Sequence, residues 1–237
     1  MGHLNELRGR LIKCVIAVVI TTALSFIFAD RIFHVLITPA GDINLIFTDL
    51  TEMIGAYMKV SLAGGLTLAM PFLVYQLVMF VSPALTPREK RYVYIILPWI
   101  TFMFLGGVAF GYFVLIPPAM KFLLTFGSDI ATPAIKIGNY VSIITRLLVA
   151  VGVVFETPVV ITFLARLGIV KAKWLASKRK YAIVAAFVIA AAITPTFDPV
   201  NQSLVAVPIV VLYELSIWLA RLVQPRAARV ATPVPSP

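Results

Sequence analysis

The chain has 237 residues, 61% of them hydrophobic and 13% charged, with a formal charge of +10. A mean hydropathy of +1.00 is more apolar surface than a soluble domain of this length can bury. The single cysteine, Cys14, excludes an intrachain disulfide and a thiolate metal centre, and packing explains it. The apolar residues form continuous runs without period-two alternation. A bilayer gives backbone groups no water to bond, so such runs predict spanning helices, not barrel strands.

Six spans are predicted, at 11–28, 55–81, 91–116, 139–167, 181–195 and 203–220. They make residues 1–222 an all-α integral membrane domain, a curved six-helix bundle, and 223–237 a disordered, Pro-rich cytoplasmic tail. The first run exceeds a signal-peptide core and lacks a small-residue cleavage site, so it is expected to stay. The segment HLNELRGRL precedes it. Glu6 and Arg10 stand there at i, i+4, a favourable helical pair, and composition alone reads an interfacial helix start with anchoring arginines. The segment from Ala29 to Met53 is too long for a tight turn and contains Thr38-Pro39. With 118–138 it is expected to form a small cap at the outer side.

Between spans two and three lies FVSPALTPREKR, Phe80 to Arg91. Thr86, Pro87 and Glu89 fit a capping box, which explains Glu89 structurally. Glu6 and Glu89 are also the two acids of a strongly basic face. A carboxylate takes a guanidinium as a bidentate, charge-assisted pair that lysine cannot copy. The residues leave both readings open. Pro71, Pro98 and Pro158 predict bends in spans two, three and four. Span four, at 29 residues and about 43 Å, must tilt, kink or project. Spans five and six read as short, which predicts a locally thinned bilayer. Asp198, before Pro199, reads as a helix N-cap.

The basic residues divide unevenly. Fifteen of the 20 fall at the N-terminus, in the loops near 88–91 and 166–180, and in the tail. Arg31, Lys59, Lys121, Lys136 and Arg146 fall on the other side or at span ends. The positive-inside rule then places both termini in the cytoplasm. The +10 charge is accounted for by topology and lipid contact, without nucleic acid.

Glu156 has no comfortable structural explanation. It lies 17 residues, about 25 Å, beyond Asn139, in the apolar run VVFETPVVI. An ionisable group in a span is costly and faces a partner or a wet cavity by default. Pro158 also releases a backbone carbonyl one turn earlier, so a polar patch is expected that could receive a polar group from another helix. Motifs for an ATP motor, a zinc protease or a serine hydrolase are absent. His3 and His34 fall on opposite sides of the membrane, so an intramembrane hydrolase has no evident nucleophile and base pair.

These motifs resemble the TatC family, the integral receptor subunit of the twin-arginine protein translocase. HLNELRGRL, FVSPALTPREKR, FGYFVLIP, VVFETPVVI, ITPTFDPVNQS and VPIVVLYELSI follow in family order over about 220 residues. ITPTFDPVNQS departs from the family's shorter TPPD form. The resemblance implies a glove-like six-span fold in the inner (plasma) membrane. It implies a multi-copy receptor for twin-arginine signal peptides of folded substrates, with export driven by the proton motive force and no bound cofactor. Carried over residue by residue, it assigns signal-peptide binding to Glu6, Arg8, Phe80 and Glu89. It assigns contact with single-span TatA/TatB-type subunits to Glu156. Pro39, Pro71, Tyr112, Asp198 and Glu214 match family positions without an assigned role. A proton-coupled solute transporter, with Glu156 as the proton site, is the competing reading; it predicts inverted repeats, and none is visible. A purely structural scaffold would not need Glu156.

Overall fold

The computed structural model describes residues 2–40, 45–81, 87–125, 134–194 and 199–224, those at 2–4, 40, 81 and 87–96 in backbone only. The first helix, α1 (Gly2–Ile27), buries little of itself. Leu11, Val19 and Ile20 are each 62% exposed, a surface suited to lipid and not to water. Its inner face lies on α3 (Glu52–Val81). The approach is close because Gly64 and Gly65 have no Cβ. One added at Gly65 would stand 2.5 Å from both Cα and Oγ1 of Thr22. Apolar side chains gain nothing by leaving lipid for another helix, so small residues and close backbones hold such pairs together. Gly65→Val should therefore cost about 1–3 kcal/mol and lower the melting temperature in detergent. An unchanged melting temperature would show that α1 and α3 do not rely on this crossing.

Among the described residues, five helical segments are long and apolar enough to cross a membrane: Asn5–Ile27, Glu52–Phe80, Leu97–Thr125, Ile137–Arg166 and Pro199–Val223. The third combines α4 (Pro87–Phe110), a π-helical turn (Gly111–Leu115) and α5 (Ile116–Thr125). The fourth is α6 (Ile137–Phe155) and α7 (Thr157–Arg166), broken at Glu156. Pro158 breaks the span as expected, whereas Pro71 and Pro98 lie inside uninterrupted helices. A short α8 (Ala172–Ser177) leads into α9 (Arg179–Ile193) and then α10 (Pro199–Val223).

The reading of span six as short is corrected here. At 15 residues, α9 is about 22 Å long, but α10 has 25 residues and is about 37 Å long. Pro199 can open a helix because its missing N–H is not needed there. Its polar first turn is also accommodated, with Asn201 buried and Gln202 Nε2 donating to the Phe187 carbonyl at 3.0 Å. Any thinning of lipid is thus expected beside α9 alone.

The cap predicted from 29–53 and 118–138 contains α2 (Ala29–Ile37), the 3₁₀ turn Thr38–Ala40 and α5. Ile46 joins it to the start of α6: its N–H donates to Ile135 at 3.0 Å and its carbonyl accepts from Ile137 at 2.9 Å. Three tyrosines from the spans pin α2. Tyr57 donates to Asp30 at 2.6 Å, and Tyr112 and Tyr140 donate to the carbonyls of Val35 and Leu36, both at 2.8 Å. Under this cap the main core gathers around Val60, Leu115, Ile116, Val141, Ile144 and Leu147.

Candidate functional site

Two regions carry the functional expectations. The first is the end of the bundle formed by the start of α1 and the close of α3. Glu6, half-buried, accepts from Arg10 Nη2 at 2.6 Å and from Arg10 Nε at 3.1 Å. The i, i+4 pair expected from sequence is therefore formed. Arg10 also donates from Nη1 to Gln76 Oε1 at 3.3 Å, across from α1 to α3. Gln76 is buried, one turn before Phe80, which is itself half-buried. Glu6 and Phe80, far apart in sequence, thus belong to one end of the bundle, and Gln76 links them. Gln76 was not singled out from the sequence, although one amide inside an apolar span is a readable signal. Arg8 is exposed on the same helix end. Glu89 lies in the first turn of α4, and its side chain is outside the described residues, as is Thr86.

The second region is Glu156, where α6 meets α7. It is 4% exposed, and neither carboxylate oxygen meets a hydrogen-bond donor among the described residues. The helix break is local. Glu156 N–H reaches back to Val153, three residues earlier, at 3.1 Å, while its carbonyl starts α7 by accepting from Val160 at 3.0 Å. Pro158, at the second position of α7, has no N–H with which to continue the α6 ladder. Close packing of α4 on α6 covers this break. A Cβ on Gly152 would lie 2.7 Å from the Phe104 ring, and one on Gly107 would lie 2.8 Å from Phe155. A carboxyl group held here without a donor is costly unless something supplies one.

The other family-matching positions divide. Glu214 has a clear structural role, forming a two-pronged pair with Arg179: Nε to Oε1 at 2.7 Å and Nη2 to Oε2 at 2.8 Å. It fastens the start of α9 to α10, while the neighbouring Tyr213 donates to Leu175 of α8 at 2.9 Å. Tyr112 occupies the π-helical turn and pins α2. Pro39 ends the α2 segment in its 3₁₀ turn, and Pro71 sits half-buried within α3. Asp198 lies outside the described residues. Among the described residues no group of His, Cys, Asp and Glu could hold a metal ion.

A family model described as Sec-independent protein translocase protein (TatC) matches residues 2–208. Proteins of that name from Carboxydothermus hydrogenoformans and Aquifex aeolicus are 38% and 41% identical to this chain over 226 residues. The matches cover 94% and 93% of this chain and 93% of each relative. Two crystal structures of a twin-arginine translocase receptor, TatC, resemble it with TM-scores of 0.82 and 0.84 at 40% and 41% identity. They cover 93% and 92% of this chain and 99% of their own. A multi-span helical membrane protein matched over nearly its whole length in sequence and in fold, the chain belongs to the TatC family of Sec-independent protein translocases.

Proposed function

We propose that the chain is the receptor of a twin-arginine translocase, a transport component and not an enzyme, that takes signal-peptide arginines on the face holding Glu6, Arg8, Phe80 and Glu89. The observation that carries this is the Glu6–Arg10 pair. Glu6 already holds a guanidinium through two short bonds, so its position and exposure suit arginine. Lysine, a point charge on a flexible stem, could not reproduce both bonds. Phe80 supplies an apolar neighbour for the peptide, and Glu89, at the start of α4, supplies the second carboxylate for the second arginine.

The chain is read as a multi-pass protein of the inner (plasma) membrane with both termini in the cytoplasm. The support is electrostatic: in the topology read from the sequence, fifteen of the 20 basic residues fall on one side. Twin-arginine peptides then meet the receptor from the cytoplasm. Glu156 is read as the intramembrane contact for TatA/TatB-type single-span subunits, supported by its burial and by two oxygens that find no hydrogen-bond partner among the described residues. A partner helix bringing a polar side chain must displace part of the α4 cover to reach it. Several copies of the chain act in the working complex, and the proton motive force drives export without a bound cofactor.

Arg10 tests the signal site. It occupies the acceptor that a peptide arginine needs, so Arg10→Gln should tighten twin-arginine peptide binding. Exposed pairs of this kind are worth about 0.2–1 kcal/mol, which corresponds to a gain of up to roughly fivefold. Fluorescence anisotropy of a labelled peptide against the purified protein measures it. Weaker binding would mean that Arg10 positions Glu6 and does not compete for it.

A further inference from the structure

We propose that Lys59 and Arg146 form a binding site for the phosphate group of an anionic phospholipid, at the end of the bundle opposite the Glu6 face. Both residues lie inside membrane-crossing segments, Lys59 seven residues after Glu52 and Arg146 nine residues after Ile137. Both are exposed. Two cations on the lipid-facing surface of neighbouring spans require a partner. Among the described residues neither has a carboxylate. Lys59 Nζ donates to Ser142 Oγ at 2.7 Å, and the Ser142 hydroxyl in turn donates to the Gly138 carbonyl at 2.6 Å. Two of the three lysine donors and the whole Arg146 guanidinium are left for an external acceptor.

The helix geometry sets where that acceptor lies. Glu52 Oε1, at the first residue of α3, accepts from the Gly138 N–H at the start of α6 at 2.9 Å. The Lys59–Ser142 bond lies further along both helices, so α3 and α6 run parallel from the same end of the bundle. Side chains on a helix lean toward its N-terminus. Lys59 and Arg146 therefore lean toward one and the same membrane surface. Ser142 and Arg146, at i, i+4, share a face of α6, so the arginine follows the lysine contact along the helix.

Depth favours a headgroup over a partner helix. Each segment is close to 30 residues and about 45 Å long, against a hydrocarbon core of about 30 Å. Centred in the bilayer, each would project about 7 Å at either end. The two Cα atoms, about 10 and 13 Å from their helix starts, then lie only a few ångströms below the headgroup boundary. Long basic side chains snorkel across that distance and end at phosphate level. An acidic residue of a spanning helix would more naturally be met at mid-membrane, where this pair does not reach.

Native mass spectrometry of the intact protein in detergent tests the site. The probes are phosphatidylglycerol, a diacylglycerol with the same chains, and inorganic phosphate. The wild type should retain one phosphatidylglycerol under conditions that strip diacylglycerol and inorganic phosphate. The double substitution Lys59→Gln, Arg146→Gln should weaken that adduct at least tenfold. The charge-preserving Lys59→Arg, Arg146→Lys exchange should keep it, which separates lost charge from lost fold. Equal retention by the Gln variant, or equal retention of diacylglycerol and phosphatidylglycerol by the wild type, would overturn the proposal. So would loss of crosslinking to a single-span subunit in the Gln variant while the lipid adduct survives.

Discussion

Replacing Glu6 and Glu89 together with glutamine should lower twin-arginine peptide affinity at least tenfold while the purified protein stays folded. Glutamine keeps the length of both side chains and can still accept a hydrogen bond. It removes the charge that makes a guanidinium bond about twice as strong as a neutral one. Two such bonds weakened by roughly 1 kcal/mol each correspond to about thirtyfold. The loss in stability should be small. Glu6 is a partly exposed i, i+4 partner of Arg10, and pairs of that kind contribute about 0.3–0.5 kcal/mol. Glu89, if it caps α4, keeps most of that ability as an amide. Peptide titration together with a melting curve separates the effects. Full affinity in the double variant would remove both carboxylates from the signal site.

The second large effect is expected at Glu156. Glu156→Ala should abolish crosslinking of single-span subunits from positions flanking 156, and reduce export of a folded twin-arginine substrate at least tenfold. Glu156→Gln should retain much of both. The reason is the pair of oxygens that find no donor within the described residues. A partner that supplies a polar group relieves a desolvation cost of about 1–3 kcal/mol, and an amide still donates and accepts there. Peptide binding should be untouched in both variants, because the Glu6 face lies at the end of the bundle and Glu156 within a span. A proton carrier would behave differently, since glutamine does not titrate and would be as inactive as alanine. Intact crosslinking in Glu156→Ala would reject the docking role. Lost export with intact crosslinking in Glu156→Gln would favour a proton-carrying role.

Much of this architecture can be read from residues near one another in sequence. The spans follow from unbroken apolar runs, the break at Glu156 from Pro158, and the Glu6–Arg10 pair from i, i+4 spacing. What could not be read depends on residues far apart in the chain. The nine-residue α2 is too short to hold itself, and is fixed by Tyr57, Tyr112 and Tyr140, with Phe33 stacked on Tyr57 at 5.0 Å. The role of Glu214 depends on Arg179, 35 residues away in sequence, which pairs with it. The start of α10 was legible in Asp198-Pro199, read as an N-cap before a first-turn proline, whereas the span drawn at 203–220 followed the apolar residues alone and left out the polar first turn. The π-helical turn that presents Tyr112 carries no local sequence signature.

The most direct test of the receptor reading is a comparison of two peptides on the unaltered protein. One is a signal peptide with its paired arginines, and the other is the same peptide with paired lysines. Charge is equal, so attraction to a face of mixed charge cannot distinguish them. Only fork-shaped recognition by carboxylates can. The account predicts that the arginine peptide binds at least tenfold more tightly, and that the difference largely disappears in the Glu6→Gln, Glu89→Gln variant. Equal affinity of the two peptides for the unaltered protein would contradict it.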